Sequence, residues 1–475
     1  MVFSSVSFLF FFLPAVLFAY YVAPRRARNL VLLTVSLFFY AWGAGWVVAV
    51  LLVSIATNYL IGLRVERAMD AGDRRLGQRY LAAGVVFNVA LLGWFKYANF
   101  GVTTWNGLLD VAGFPSLPWA DVLLPIGISF YTFHALSYLM DIYRGVARHL
   151  VAPVDFALYI AFFPQLIAGP IVRFHEIRDQ LVQRRETLPA FAAGVYRFSL
   201  GLGKKVIIAD SVAPIVNAIF ATQPGELSTG VAALGVVAYA VQLYFDFSGY
   251  SDMALGLALM VGIRLPENFN RPYASRSVTE FWRRWHMSLS RWFRDYLYIS
   301  LGGNRRSDLQ TYRNLVIVFL VTGLWHGANW TFVAWGAYHG VLLLIERVFG
   351  VGRQPGQVRG AIWQIPTVIL VLLGWILFRS PSLSFAAGYG MALFRPGFRI
   401  PPEVALTLGP LAILCLVFGA ASVFIPGSWV TGVRLENPAP VVNRVLRLGM
   451  VGVVLPAAIV LILAGSFSPF LYFQF

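Results

Sequence analysis

Long apolar runs broken by short clusters of arginine set the pattern of this chain. The first run, Met1 to Val22, is followed by Arg25, Arg26 and Arg28, and further runs cover about 29–45, 46–63 and 80–97. Each approaches the ~20 apolar residues that a helix needs to cross a bilayer. The stretch 64–79 between them carries Arg64, Arg67, Arg74, Arg75 and Arg79. Cationic loops stay in the cytoplasm, so the pattern predicts an external N-terminus and a first helix that ends inside. Met1–Val22 has no basic residues ahead of its apolar core, so it reads as a spanning helix and not as a secretory leader. Asn99 to Asp121 has few charges and several aromatics, and reads as an outer loop. Later spans fall at about 229–250, 360–379, 404–425 and 447–468, and Tyr472 to Phe475 read as an aromatic interfacial tail. With the interrupted segments below, the total is about eleven spans.

Several apolar segments are interrupted. Leu123 to Tyr143 holds Pro125, Gly127 and His134, and Phe156 to Val172 holds Pro164, Gly169 and Pro170. Broken helices at membrane depth persist where protein or a cavity satisfies the backbone, so re-entrant or kinked elements are expected around Phe162–Pro170. Arg173 to Glu186 is charged and cytoplasmic by the same rule, with His175 read as a solvated residue. Lys204 and Lys205 lie near an apolar helical face over 189–222 and are expected to snorkel to an interface. Asp246 and Asp252 close the run from 229, either as interfacial polar groups or as the polar lining of a cavity.

The most charged segment is Arg264 to Arg313. At ~100° per residue, Trp282, Trp285, Leu289, Trp292, Phe293 and Tyr296 share one arc, while Glu280, Arg283, Arg284, Arg291 and Arg294 share the other. This predicts an amphipathic helix at the membrane surface or beneath the core. His286 falls at the edge of the aromatic arc, turned inward.

Residues 315–345 carry no charged side chain. That run is too long for one span and short for two, so one span followed by a tilted or partial helix is expected, with the break near Gly323 or Gly327. His326 lies eleven residues past Leu315. At 1.5 Å per residue this is ~16 Å, about half of a ~30 Å hydrocarbon core. An ionisable group at that depth usually lines a cavity or a path. The competing role is a structural histidine bonded to a neighbouring helix. His339, thirteen residues further on, is assigned to a different face and depth.

Composition narrows the class. The 475 residues are 59% hydrophobic and 12% charged, with mean hydropathy +0.71, where a soluble domain carries about 25% charged residues. The chain therefore reads as one integrated membrane domain over 1–475, without room for a large soluble one. The net charge of +16 sits in short loops between apolar runs, which argues for topology and against nucleic acid. Cys415 is the sole cysteine, so an intrachain disulfide is excluded. No metal is expected, because Cys clusters and His-x-x-His pairs are missing.

Several motifs then accumulate in order. They are Phe163-Pro164-Gln165-Leu166-Ile167-Ala168-Gly169-Pro170, Tyr244-Phe245-Asp246-Phe247-Ser248-Gly249-Tyr250-Ser251-Asp252, Asn268-Phe269-Asn270-Arg271-Pro272-Tyr273, Phe281-Trp282-Arg283-Arg284-Trp285-His286 and Gly323-Leu324-Trp325-His326-Gly327. With these the chain resembles the membrane-bound O-acyltransferase superfamily, in particular its bacterial branch that O-acetylates exopolysaccharides such as alginate. The resemblance implies an all-α polytopic fold of about eleven spans, with re-entrant and interfacial helices around a central tunnel. It places the family's essential histidine at His326. The position that is His in the bacterial branch and often Asn in eukaryotic relatives falls at His286. It implies no bound cofactor, cytoplasmic acetyl-CoA as acyl donor, and a polysaccharide acceptor reached through a periplasmic partner protein. The host membrane would be the bacterial inner membrane. Trp325, Asn329, Asp246, Trp285, Arg283 and Arg284 are the candidates for lining the substrate path. A related reading transfers D-alanine or another acyl group to a cell-wall polymer. A transporter is the reading from a different class, and no inverted repeat supports it.

Overall fold

The computed structural model describes residues 1–305, 307–351, 361–422 and 448–465, so the expected aromatic tail lies outside the described residues. Every regular element among them is helical. Three helical segments are long and apolar enough to cross a membrane: Arg25–Asp70, Arg74–Val111 and Thr229–Met260. Shorter apolar helices cover Phe8–Val22, Gln364–Arg379, Pro410–Ala421 and Met450–Leu463. The chain is an all-helical membrane protein.

Its contacts divide into two units. The first holds residues 1–2, 7–187 and 261–265, and the second holds 3–6, 188–260 and the residues described from 266 onward.

The first unit is built from α1 (Leu13–Val22), α2 (Arg28–Ala44), α3 (Val48–Asp70), α4 (Arg74–Leu92), α5 (Ala98–Val111), α6 (Ile128–Tyr143), α7 (Pro153–Ala161), α8 (Phe163–Leu166) and α9 (Phe174–Val182). Three expectations change here. The outer loop begins later than its composition suggests, because the helix runs on to Val111 before Gly113 at φ +76° ends it. Polar residues such as Thr103 and Asn106 weaken a helix without breaking it. Pro125 and Gly127 precede α6 instead of kinking it, with Gly127 at φ +76° as the residue before its first turn. A side chain on Gly127 would meet the Leu166 carbonyl at 2.7 Å. His175 is not simply solvated: its Nδ1 lies 2.9 Å from Asp141 Oδ2, and that hydrogen bond raises its pKa above the ordinary imidazole value. The expected interruption around Phe162–Pro170 is present as the short helices α7 and α8 followed by non-helical backbone.

The second unit contains α10 (Leu188–Gly203), α11 (Asp210–Ala221), α12 (Thr229–Met260), α13 (Val278–Arg284), α14 (Met287–Trp292), α15 (Asp308–His326), α16 (Trp330–Val348), α17 (Gln364–Arg379), α18 (Leu383–Ala392), α19 (Pro402–Ala405), α20 (Pro410–Ala421) and α21 (Leu455–Leu463). The pair α10 and α12 is antiparallel and held close by matched glycines. A Cβ on Gly194 would lie 2.7 Å from Gly256 O, and one on Gly249 would lie 2.7 Å from Gly201 O. The seven-residue spacing on both helices keeps the two contacts on one seam. Without a hydrophobic drive between helices in lipid, such small-residue seams supply the packing.

That seam carries buried charge. Asp246 and Asp252 do not close a span, because α12 continues to Met260 and both are buried within it. Lys205 does not snorkel: its Nζ bonds Asp210 and lies 2.9 Å from Asp246 Oδ1. Lys204 reaches Asp252 at 2.7 Å, and Arg197 bridges Asp252 and Glu267. Pairing is what makes charge tolerable at this burial.

The uncharged run is also resolved differently from its expectation. The break does fall at Gly327, but both sides are full helices of 19 residues, because α15 starts at Asp308 and α16 extends to Val348. They fold into a tight antiparallel hairpin. Gly323 and Gly336 face each other, and a Cβ on either would sit 3.2 Å from the other's Cα and would strike backbone carbonyls at Phe332 or Phe319.

Candidate active site

His326 is the last residue of α15. Its Nδ1 lies 2.7 Å from the carbonyl of Thr322, one turn back. A carbonyl can only accept, so Nδ1 carries the hydrogen and Nε2 of the neutral ring carries the lone pair. Trp325, Trp335 and Phe378 pack edge-on around the imidazole, with centroids 4.9, 4.9 and 5.4 Å away. The side chain is 4% exposed. Gly327 must be small here, since a side chain would run into the Phe332 ring.

His286 is reached through a break that the helical wheel did not anticipate. The predicted amphipathic helix is split into α13 and α14 by an extended Trp285 and a left-handed His286 at φ +42°. A non-glycine residue at positive φ is uncommon, and strain of this kind gathers at functional sites. The segment Asn268–Asn270 clamps the break. Asn270 N donates to Arg284 O, and Met287 N donates to Asn268 O. The Asn268 side-chain oxygen accepts from Ser288 N and Ser288 Oγ and faces His286 Nδ1 at 3.1 Å. That oxygen is an acceptor, so His286 also holds its hydrogen on Nδ1. The inward direction expected for His286 is observed, with the ring fully buried against Phe247 and 6.0 Å from Trp325. Trp325 therefore neighbours both imidazoles.

The remaining candidates divide. Trp285 is buried in an aromatic cluster with Phe269, Phe281 and Trp375. Asn329 caps α16 by accepting from Thr331 N and donates to Pro381 O, which is a local structural role. Asp246 is held in its ion pair with Lys205. Arg283 lines a cavity of about 840 Å³, whereas Arg284 turns back to Glu280 at 2.6 Å and does not line it.

That cavity connects the charged segment to the histidine hairpin. Arg283, Arg291, Arg294 and Arg347 line it together with Asp308, while Trp282, Val318, Phe319, Leu343 and Thr322 supply its apolar part. Thr322 is the residue whose carbonyl holds His326. Sequence reasoning did not find Arg347, which lies just past the uncharged run, or Asn268. It also separated His339 from His326. The hairpin instead brings His339 against Trp335 at 5.1 Å, so both imidazoles flank one indole. The i, i+4 spacing of Trp335 and His339 was the available signal.

The model of the membrane-bound O-acyltransferase family matches residues 5–383, and the chain belongs to that family. It is an O-acyltransferase. It is similar to the probable alginate O-acetylase AlgI of Azotobacter vinelandii, at 46% identity over the whole of both chains. The Pseudomonas aeruginosa protein of the same name is 52% identical over 84% of this chain and 75% of its own length. The peptidoglycan O-acetyltransferase of Helicobacter pylori is 38% identical over 81% and 78%.

Proposed function

We propose that this chain acetylates an exopolysaccharide of the alginate type from the bacterial inner membrane, taking the acetyl group from cytoplasmic acetyl-CoA. The observation that supports the reading most is the cavity that passes from four arginines to Thr322, whose carbonyl orients His326. Guanidinium groups suit the phosphates of the donor, and the apolar part suits the acyl arm. The volume lies within the range of small-molecule sites.

In this mechanism His326 Nε2 is the general base. It takes the proton of an acceptor hydroxyl as the oxygen attacks the thioester carbonyl. His286, which also neighbours Trp325, orients the donor or polarises its carbonyl. The acceptor arrives from the opposite side of the bilayer, and a periplasmic partner protein completes transfer to the polymer. The test is thiol release from acetyl-CoA by the full chain in proteoliposomes, together with the acetyl content of the host's surface glycan. His326→Ala abolishes both if the reading is right. Full activity of that variant removes it. A D-alanyl donor is separated by competition: a D-alanyl thioester leaves thiol release from acetyl-CoA unaffected if acetyl-CoA is the true donor.

A further inference from the structure

Two buried N–H groups, on Trp335 and on His339, have no acceptor among the described residues. Trp335 is fully buried, its ring lies 4.9 Å from that of His326, and its Nε1 has no hydrogen-bond partner among the described residues. Indole nitrogen only donates, so only an oxygen or similar acceptor could complete it. His339 follows one turn later and is also fully buried. Its Nδ1 accepts from Trp282 Nε1 at 3.4 Å, which puts the imidazole hydrogen on Nε2. That Nε2 has no acceptor among the described residues either. It packs against Gly374, where a Cβ would come within 2.8 Å and crowd it. Buried donors are nearly always bonded, and those that are not call for a role. Trp282, which bonds His339, also lines the arginine-mouthed cavity.

We propose that Trp335 Nε1–H and His339 Nε2–H are the donors that hold the oxyanion formed during acyl transfer at His326. The proposal rests on the base role given to His326 above. As the acceptor oxygen bonds to the thioester carbon, His326 Nε2 takes the hydroxyl proton and the carbonyl π pair moves onto oxygen. The two N–H groups receive that charge. Collapse re-forms the C=O bond, breaks the C–S bond, and returns the proton from His326 to the departing thiolate sulfur. Fixed donors in a water-poor site act on the charge that develops in the transition state and have little effect on substrate binding.

The experiment measures thiol release from acetyl-CoA by the full chain in proteoliposomes, with an alginate oligosaccharide as acceptor. Trp335→Phe keeps the ring and deletes the donor. The expected result is a fall in kcat of roughly 10²–10³-fold, the usual loss for one oxyanion donor, with KM for acetyl-CoA unchanged. An unchanged kcat with only a lowered melting temperature means that these groups hold a buried water, and overturns the proposal. Where Trp335→Phe fails to fold, His339→Gln and His339→Leu decide: the glutamine keeps an N–H and should retain at least about tenfold more kcat, on the same scale. Equal rates for the two overturn it. His326→Ala is run in parallel. If it is inactive while Trp335→Phe is fully active, only the oxyanion pair falls; if His326→Ala is active, the base assignment falls first.

Discussion

His326 Nδ1 lies 2.7 Å from Thr322 O on the same helix, and Thr322 lines the cavity that opens among the arginines. One backbone carbonyl thus selects the tautomer of the buried imidazole and links it to the pocket. Because that carbonyl belongs to the last turn of α15, the helix end itself aims the ring.

Removing the imidazole should cost activity without costing the fold. His326→Ala leaves the glycine break and the Asn329 cap in place. Acetylation should drop by at least ~10²–10⁴-fold, the range for a general base. Circular dichroism and the thermal midpoint in detergent should stay near those of the parent, and a parent-like rate in proteoliposomes would exclude the base role.

At position 286 backbone and side chain can be separated. Asparagine tolerates the left-handed region and carries polar atoms, whereas alanine does neither well. His286→Asn should therefore keep more activity than His286→Ala. His286→Gly relieves strain of ~1–2 kcal/mol at positive φ but deletes a fully buried ring, so it should be no more stable than the parent and poorly active. Melting temperature and kcat, measured together, check all three; an active glycine variant would show that only the backbone bend matters.

The arginines make a directional prediction about binding. Arg283→Ala and Arg347→Ala should each raise KM for acetyl-CoA about tenfold, equivalent to ~1.4 kcal/mol, with kcat retained. Arg284→Ala, which loses bonds to Glu280 and to the Asn270 carbonyl but lines no part of the cavity, should leave KM unchanged. Steady-state kinetics at fixed ionic strength distinguish them, and equal effects at all three positions would point to bulk charge instead of a pocket.

Within the buried network, Lys205→Met removes the cation paired with Asp210 and Asp246. Breaking one side of such a pair typically costs about 3–5 kcal/mol. The double variant Lys205→Met with Asp246→Leu should recover part of the loss. Thermal unfolding in detergent reads both, and an undisturbed single variant would mean the ion pair carries no stability.

At the hairpin crossing, Gly336→Leu should separate α15 from α16 and displace His326 from Trp335. Activity should fall with stability here, unlike at His326, because the side chain has no room between the two backbones. A fully active, stable Gly336→Leu would show that the close crossing is not required.

The one-dimensional pattern by itself determined that the chain lives in a membrane and that helix breaks fall around Phe162–Pro170 and at Gly327. Hydropathy, cation placement and backbone-breaking residues act locally, so they are legible without a partner. It also identified the aromatic arc around Trp282 and Trp285. What only the tertiary structure decided are relations between segments far apart in sequence: His339 against the same indole as His326, Lys205 paired with Asp246, Arg347 joining Arg283 at one cavity, and Asn268 bending the chain at His286. Helical periodicity cannot encode these, because each depends on how two helices cross. Here the crossings are set by opposed glycines, whose missing side chains leave no hydrophobic signal to read.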